Sequence, residues 1–117
     1  MRLKKRTVRG LLLISLSWLI LPSTSHAQEV GDAIKGREYA ARVCAQCHAI
    51  TADTGRSPRP RVATFPTIAN TPGMTAQALS IWLTTPHPTM PNLIIELEDR
   101  RDVIAYIVSL REPTTAR

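Results

Sequence analysis

The chain has 117 residues, with 15 Lys and Arg against nine Asp and Glu and a formal net charge of +6. Five of the basic residues lie within the first ten positions, so the rest of the chain carries ten basic and nine acidic side chains. This balance leaves no basic stripe, and few aromatic residues are present to stack on bases, which argues against a nucleic-acid-binding protein.

The first 27 residues have the three regions of a secretory signal peptide. A basic stretch precedes an apolar run over residues 11–21, and Ser25-His26-Ala27 supplies small residues for cleavage. The run is shorter than the roughly 20 residues that span a bilayer, and no cysteine follows it directly to accept a lipid. We therefore predict a cleaved signal peptide over 1–27, export to the periplasm and one mature domain over 28–117. Retention of the segment as a membrane anchor is the alternative.

The first element of the mature chain is a helix that Asp32 caps and that extends to about Val43. Gly36 lies inside it, although glycine costs about 1 kcal/mol relative to alanine in a helix. A residue without a side chain lets another helix approach closely. We therefore predict a helix crossing at Gly36.

Directly after this helix comes Cys44-Ala45-Gln46-Cys47-His48, a Cys-x-x-Cys-His sequence typical of c-type haem attachment. Two thiols on one turn can each add to a vinyl group of the haem, and the adjacent imidazole can then bind the iron. A zinc site would need four ligands, and a thioredoxin-like pair would need a βαβ frame. A structural disulfide stays open but gives no role to the histidine. The motif predicts that Cys44, Cys47 and His48 bind one haem c.

Helical periodicity is absent from residues 49–73, which contain two glycines and four prolines. A loop of this length is uncommon in a small domain, unless it wraps a cofactor that fills an otherwise small core. We expect one helical turn over 66–70 and inward-facing side chains at Val62, Phe65 and Ile68. The three arginines between positions 56 and 61 are expected on a solvated loop, or else paired with haem propionates or an acidic partner.

A short helix is predicted from Thr75 to about Leu83, with Trp82 buried on its apolar face. The final helix is predicted from about Glu98 to Arg111. Acidic residues lie near its N-terminal end and Arg111 lies at its C-terminal end, which suits the helix dipole. Its buried side is expected to comprise Val103, Ile104, Ile107, Val108 and Leu110.

Between these helices, prolines at positions 86, 88 and 91 are expected to hold residues 85–92 extended. Met90 lies on this stiff loop, and a thioether opposite histidine gives a six-coordinate iron of raised reduction potential. We predict Met90 as the sixth ligand. His87, which would give a bis-histidine iron, and Met74 are the alternatives.

These features together resemble class I cytochrome c, in its small bacterial periplasmic form. The resemblance covers residues 31–110 and rests on Gly36, the Cys44–His48 motif, His87-Pro-Thr-Met90-Pro and Val103-Ile-Ala-Tyr106-Ile. It implies an all-α fold of three to four helices, with long loops wrapped around one covalently bound haem.

The resemblance also implies particular contacts. The first and last helices should cross with Gly36 against Tyr106, and the aromatic residue of the first helix should be Tyr39, or the position of Ala40. A proline carbonyl, from Pro58 or Pro60, should accept a hydrogen bond from the proximal histidine.

The function expected from these residues is that of a soluble one-electron carrier, monomeric and not an enzyme. Its partners would be a redox protein donor and acceptor in the periplasm or at the membrane surface, with no small-molecule substrate. An electron-accepting subunit of a periplasmic dehydrogenase is the alternative. A gas sensor or peroxidase with a displaceable Met90 is the other competing class, because both need an open iron position.

Overall fold

The computed structural model describes residues 31–113, so residues 1–30, the predicted signal peptide among them, and residues 114–117 lie outside it. Within the described range the chain forms four helices and no strand: α1 (Ala33–Val43), α2 (Phe65–Asn70), α3 (Ala76–Thr84) and α4 (Leu97–Ser109). The predicted all-α fold with three to four helices is confirmed. In this part of the chain, no helix has the length and apolar character needed to cross a membrane.

Three of the helices begin at side-chain caps. The Asp32 carboxylate accepts hydrogen bonds from the backbone N–H groups of residues 34 and 35, at 2.8 and 3.3 Å. Thr64 caps α2 and Thr75 caps α3 through their hydroxyl oxygens. Each cap satisfies N–H groups that have no partner inside the helix. The caps predicted at Asp32 and Thr75 are confirmed.

Helix α4 is the centre of the fold, because α1, α2 and α3 all pack against it and the contact with α1 is the most extensive. The crossing of α1 and α4 depends on two glycines. A Cβ atom at Gly36 would collide with the Asp102 carbonyl, and one at Gly31 would collide with the Arg101 carbonyl. The predicted crossing at Gly36 is confirmed, but the glycine faces the backbone of residues 102 and 103 rather than the ring of Tyr106.

The buried core lies between α4 and the other helices. Ala40 is completely buried, whereas Tyr39 is half-buried and packs at the edge of the core, with the Arg42 guanidinium 6.0 Å from its ring centroid. The small residue therefore occupies the close contact with α4 and the aromatic residue lies beside it. The central cluster comprises Ala40, Phe65, Ala69, Leu79, Val103, Tyr106 and Ile107.

Helix α4 ends at Ser109, two residues before the predicted end. Arg111 leaves the helix, and its guanidinium donates hydrogen bonds to the carbonyls of Ala69, at 3.3 Å, and Met74. The carbonyl of Leu110 accepts a 3.4 Å hydrogen bond from the Asn70 amide. These contacts tie the end of the chain to α2 and to the segment that precedes α3.

Candidate functional site

The Cys-x-x-Cys-His motif lies at the C-terminal end of α1, where Cys44 is the cap residue. The backbone N–H groups of Cys47 and His48 donate to the Cys44 carbonyl at 3.1 and 2.9 Å, so the chain continues as tight turns. Both thiols are free and partly buried. The fold therefore presents two thiols and an imidazole from one short segment, as the motif predicts.

The protonation of the Cys44 thiol is set by its surroundings. Burial, with a smaller contribution from the charge of Cys47, raises the pKa of Cys44 to about 11. Before haem attachment, this side chain is thus a neutral thiol at neutral pH, the state that burial in apolar surroundings favours.

The imidazole of His48 is oriented by the backbone. Its Nδ1 lies 2.7 Å from the Ala63 carbonyl oxygen. A carbonyl only accepts, so Nδ1 carries the proton and Nε2 keeps the lone pair that a metal needs. The expectation that Pro58 or Pro60 supplies this carbonyl was wrong.

A turn accounts for that difference. Residues 59–62 turn back, with the Val62 N–H 3.4 Å from the Arg59 carbonyl, and Arg61 has a positive φ of 65°. The chain is thereby redirected after the prolines. The carbonyl that reaches the imidazole belongs to the extended residues that follow the turn.

Three further hydrogen bonds hold this side of the site, and no sequence pattern predicted any of them. The buried Ser57 hydroxyl accepts a 3.0 Å hydrogen bond from the Ala49 N–H, and the Ala49 carbonyl accepts one of 2.9 Å from the Phe65 N–H. The Tyr106 hydroxyl donates to the Ile50 carbonyl at 2.8 Å. The residues after the motif are thus fixed to α2 and α4.

Asp102 is another residue whose role the sequence did not predict. It is buried in α4 and its carboxylate accepts a 2.6 Å hydrogen bond from the backbone N–H of Asp32. The acidic residues near the start of the last helix indicate only a favourable interaction with the helix dipole, which gives no role to a buried carboxylate. In the structure Asp102 fixes the start of α1 on α4.

A cavity of about 420 Å³ opens beside the motif, within the size range of cofactor pockets. Its walls are mostly apolar, and they come from the motif, from the long loop, from α2, α3 and α4, and from residues 87–93. The lining includes Cys44, Cys47, His48, Phe65, Ile68, Met74, Leu79, Trp82, His87, Met90, Leu93, Val103 and Ile107.

A second cavity of about 210 Å³ adjoins the first and shares His48, His87 and Met90 with it. Arg61 and Val62 line this smaller space. Together the two cavities account for the three residues that were expected to face inward: Phe65 is buried, Ile68 lines both spaces and Val62 lines the smaller one.

Trp82 differs from its prediction, because it is not part of the buried core of the protein. Leu79, one turn earlier in α3, occupies the core position, so the indole is left to line the large cavity. It also meets the ring of His87 edge-on, with the centroids 5.0 Å apart.

The prolines predict that residues 85–92 are extended, but the structure contains a turn within this segment. Pro88 and Thr89 form a turn, and Thr89 has a positive φ of 74°. The turn brings His87 and Met90 to the same cavities. Met74 lines only the larger one.

The site fits a haem, because an apolar cavity of suitable size holds two thiols and an imidazole on one wall and a thioether within reach. The sequence profile of the Cytochrome c family matches residues 33–111, and the chain belongs to this family. It is a class I, mono-haem cytochrome c with covalently bound haem c.

A curated relative is cytochrome c-552 of Bradyrhizobium diazoefficiens. It is 33 % identical over 104 residues, which cover 89 % of this chain and 95 % of the relative. No solved structure shows a significant match to the chain. The family establishes a haem-based electron carrier.

Proposed function

We propose that this protein is a soluble one-electron carrier of the periplasm, in which Cys44 and Cys47 form the thioether bonds and His48 and Met90 are the axial ligands of the iron. The observation that carries the proposal is that His48 and Met90 line both cavities, which favours Met90 over Met74, because Met74 lines only one. With a protein ligand on each side, no coordination position is left for a substrate.

The chain's own residues make the two ligands suitable for this work. The Ala63 carbonyl keeps the proton on Nδ1 of His48 and so leaves Nε2 free to bind. Prolines 88 and 91 restrict the backbone around Met90, which lowers the cost of holding a weak thioether ligand. The haem, when bound, would accept a single electron from a donor and pass it to an acceptor.

The apolar walls serve the same function. Phe65, Leu79 and Val103 are buried and line the large cavity, so this part of its wall presents apolar side chains to the haem. Few polar groups then have to reorient when the charge of the site changes, and electron transfer is not slowed by the surroundings. A methionine opposite histidine also places the reduction potential in the higher range of haem proteins.

The competing classes are distinguished by carbon monoxide. A carrier with both positions filled should bind carbon monoxide slowly in the ferrous state, whereas a gas sensor or a peroxidase should bind it readily. The near-infrared sulfur-to-iron band of the ferric protein should be lost in Met90→Ala and kept in Met74→Leu. A band that survives in Met90→Ala would overturn the ligand assignment.

Export and partners are also part of the proposal. Mass analysis of the haem protein from the periplasm should give an N-terminus at Gln28, and a terminus before Ala27 would contradict cleavage.

Arg56, Arg59 and Arg61 are exposed on one loop, and Arg61 lines the small cavity. Charge reversal at Arg59 or Arg61 should slow reaction with an acidic redox partner or shift the potential. A dedicated dehydrogenase partner would be recovered by pull-down of the exported haem protein.

A further inference from the structure

His87 and Met90 are the first and last residues of one turn. Pro88 takes its second position, and Thr89, with φ of 74°, takes its third. Proline followed by a residue of positive φ is the pattern of a type II turn, which brings its end residues within about 7 Å of each other. Both end residues line both cavities. A second side chain able to bind a metal therefore lies beside the proposed sixth ligand.

The ring of His87 is already in a tautomer that can bind a metal through Nε2. Its Nδ1 lies 3.0 Å from the Thr85 carbonyl oxygen, so the proton is on Nδ1 and the lone pair is on Nε2. Among residues 31–113, Nε2 of His87 has no hydrogen-bond partner. His48 shows the same arrangement with the Ala63 carbonyl. Two histidines at the cavity are thus prepared in the same way, and the electron carrier needs only one.

We propose that His87 is a reserve axial ligand, which takes the sixth position when Met90 leaves it. The inference rests on the proposed function, in which Met90 is the resting ligand. In the exchange the Met90 thioether gives up its bond, and the Nε2 lone pair of His87 forms one. The proton stays on Nδ1 of His87, and no electron moves.

The chemistry of the two ligands gives the exchange a direction. A thioether is a soft ligand and favours reduced iron, whereas an imidazole is harder and tolerates oxidised iron. His87 should therefore replace Met90 mainly in the ferric protein. With His87 bound, the iron position would stay closed to small molecules, and the reduction potential of the protein would be lower. While Met90 is the ligand, the imidazole of His87 packs edge-on against the ring of Trp82, and it would leave this contact on binding the iron.

The test compares four holoproteins: the wild type, Met90→Ala, His87→Ala and the double variant. Ferric electron paramagnetic resonance reports the spin state, and carbon monoxide uptake reports an open ferrous position. We expect Met90→Ala to be low-spin without the sulfur band, and the double variant to be high-spin. In Met90→Ala the Met90 thioether no longer competes for the ferrous iron, so if His87 fills the position about nine-tenths of the time, the carbon monoxide affinity of this variant should be roughly tenfold below that of the double variant.

Each other result is decisive. If Met90→Ala is high-spin like the double variant, His87 does not bind and the inference is overturned. If the double variant is also low-spin, a different residue binds and the inference again fails. If the wild type lacks the sulfur band and His87→Ala becomes high-spin, the Met90 assignment itself is wrong. Should Met90→Ala yield no haem protein, Met90→Leu, which keeps the side-chain volume, serves as the background for the same comparison.

Discussion

The two sides of the haem cavity are held in place by different means. We call residues 44–65 the proximal segment and residues 85–95 the distal loop. Ala49 and Ile50 of the proximal segment are bonded to Ser57, Phe65 and Tyr106, across 8 to 56 residues of sequence.

The distal loop has no comparable long-range bonds among the described residues. The hydrogen bonds made between Pro86 and Ile95 join residues two apart, His87 to Thr85 and Leu93 to Pro91. Its shape comes from proline and from the burial of Ile95 at its end. The comparison teaches that His48 is fixed by the tertiary structure, whereas Met90, the proposed distal ligand, is positioned by local backbone conformation, as the proposed exchange requires.

The largest expected difference is in packing. Phe65→Ala should lower the free energy of unfolding by about 3–5 kcal/mol, because it removes a buried ring that contacts both His48 and Tyr106. Ile94→Ala, in the distal loop, should change it by less than about 0.5 kcal/mol, since Ile94 is 90 % exposed. Guanidinium unfolding of the two haem proteins measures both values. Equal losses would contradict the difference between the two sides.

The next largest expected effect is the loss of stability when a buried hydrogen bond of the proximal segment is removed. Ser57→Ala leaves the Ala49 N–H without its buried acceptor, which should cost about 1–3 kcal/mol. Thr54→Ala is the matched control, because it removes a hydroxyl bonded to Thr51 in the exposed part of the same loop, and it should change stability by less than about 0.5 kcal/mol. If the two variants unfold at the same denaturant concentration, Ser57 does not fix the proximal segment.

Ser57 and Asp102 illustrate how much of the site could be predicted from the sequence. The Cys44–His48 motif and the caps at Asp32 and Thr75 could be predicted because their partners are within three or four residues. The roles of Ser57 and Asp102 could not, since each accepts from a backbone N–H placed by the tertiary fold, in the second case 70 residues away.

The Ala63 carbonyl shows a second limit. A backbone carbonyl has no sequence signature, and its position depends on the turn at Arg61, a residue that does not favour positive φ. The same holds at Thr89, where proline predicted an extended loop and the structure has a turn. Sequence patterns identified the helices and the motif, and the backbone strain that arranges the cavity was visible only in the fold.

Glycine substitutions that relieve the strain of a positive φ should affect the two sides of the cavity differently. Thr89→Gly removes a β-branched residue from positive φ and should stabilise the Met90-bound loop by about 1 kcal/mol, which slows Met90 dissociation about fivefold. The rate at which excess imidazole binds the ferric protein measures this dissociation. Arg61→Gly relieves a similar φ in the proximal segment and should leave the rate unchanged. A similar slowing in both variants would show that the strain is not specific to the distal ligand.

The smallest expected effect is a pH dependence at the helix that leads into the proximal segment. Burial, followed by the nearby Asp99 carboxylate, raises the pKa of Tyr39 above its ordinary value of 10.0. The folded protein thus favours the neutral phenol, so this contribution to stability is complete below pH 10 and is lost as the pH rises through the folded-state pKa. Tyr39→Phe should therefore lose less stability than the wild type between pH 9 and 11. Titration of tyrosinate absorbance should place Tyr39 above a free tyrosine, and a pKa at or below 10 would mean that α4 does not shield this ring.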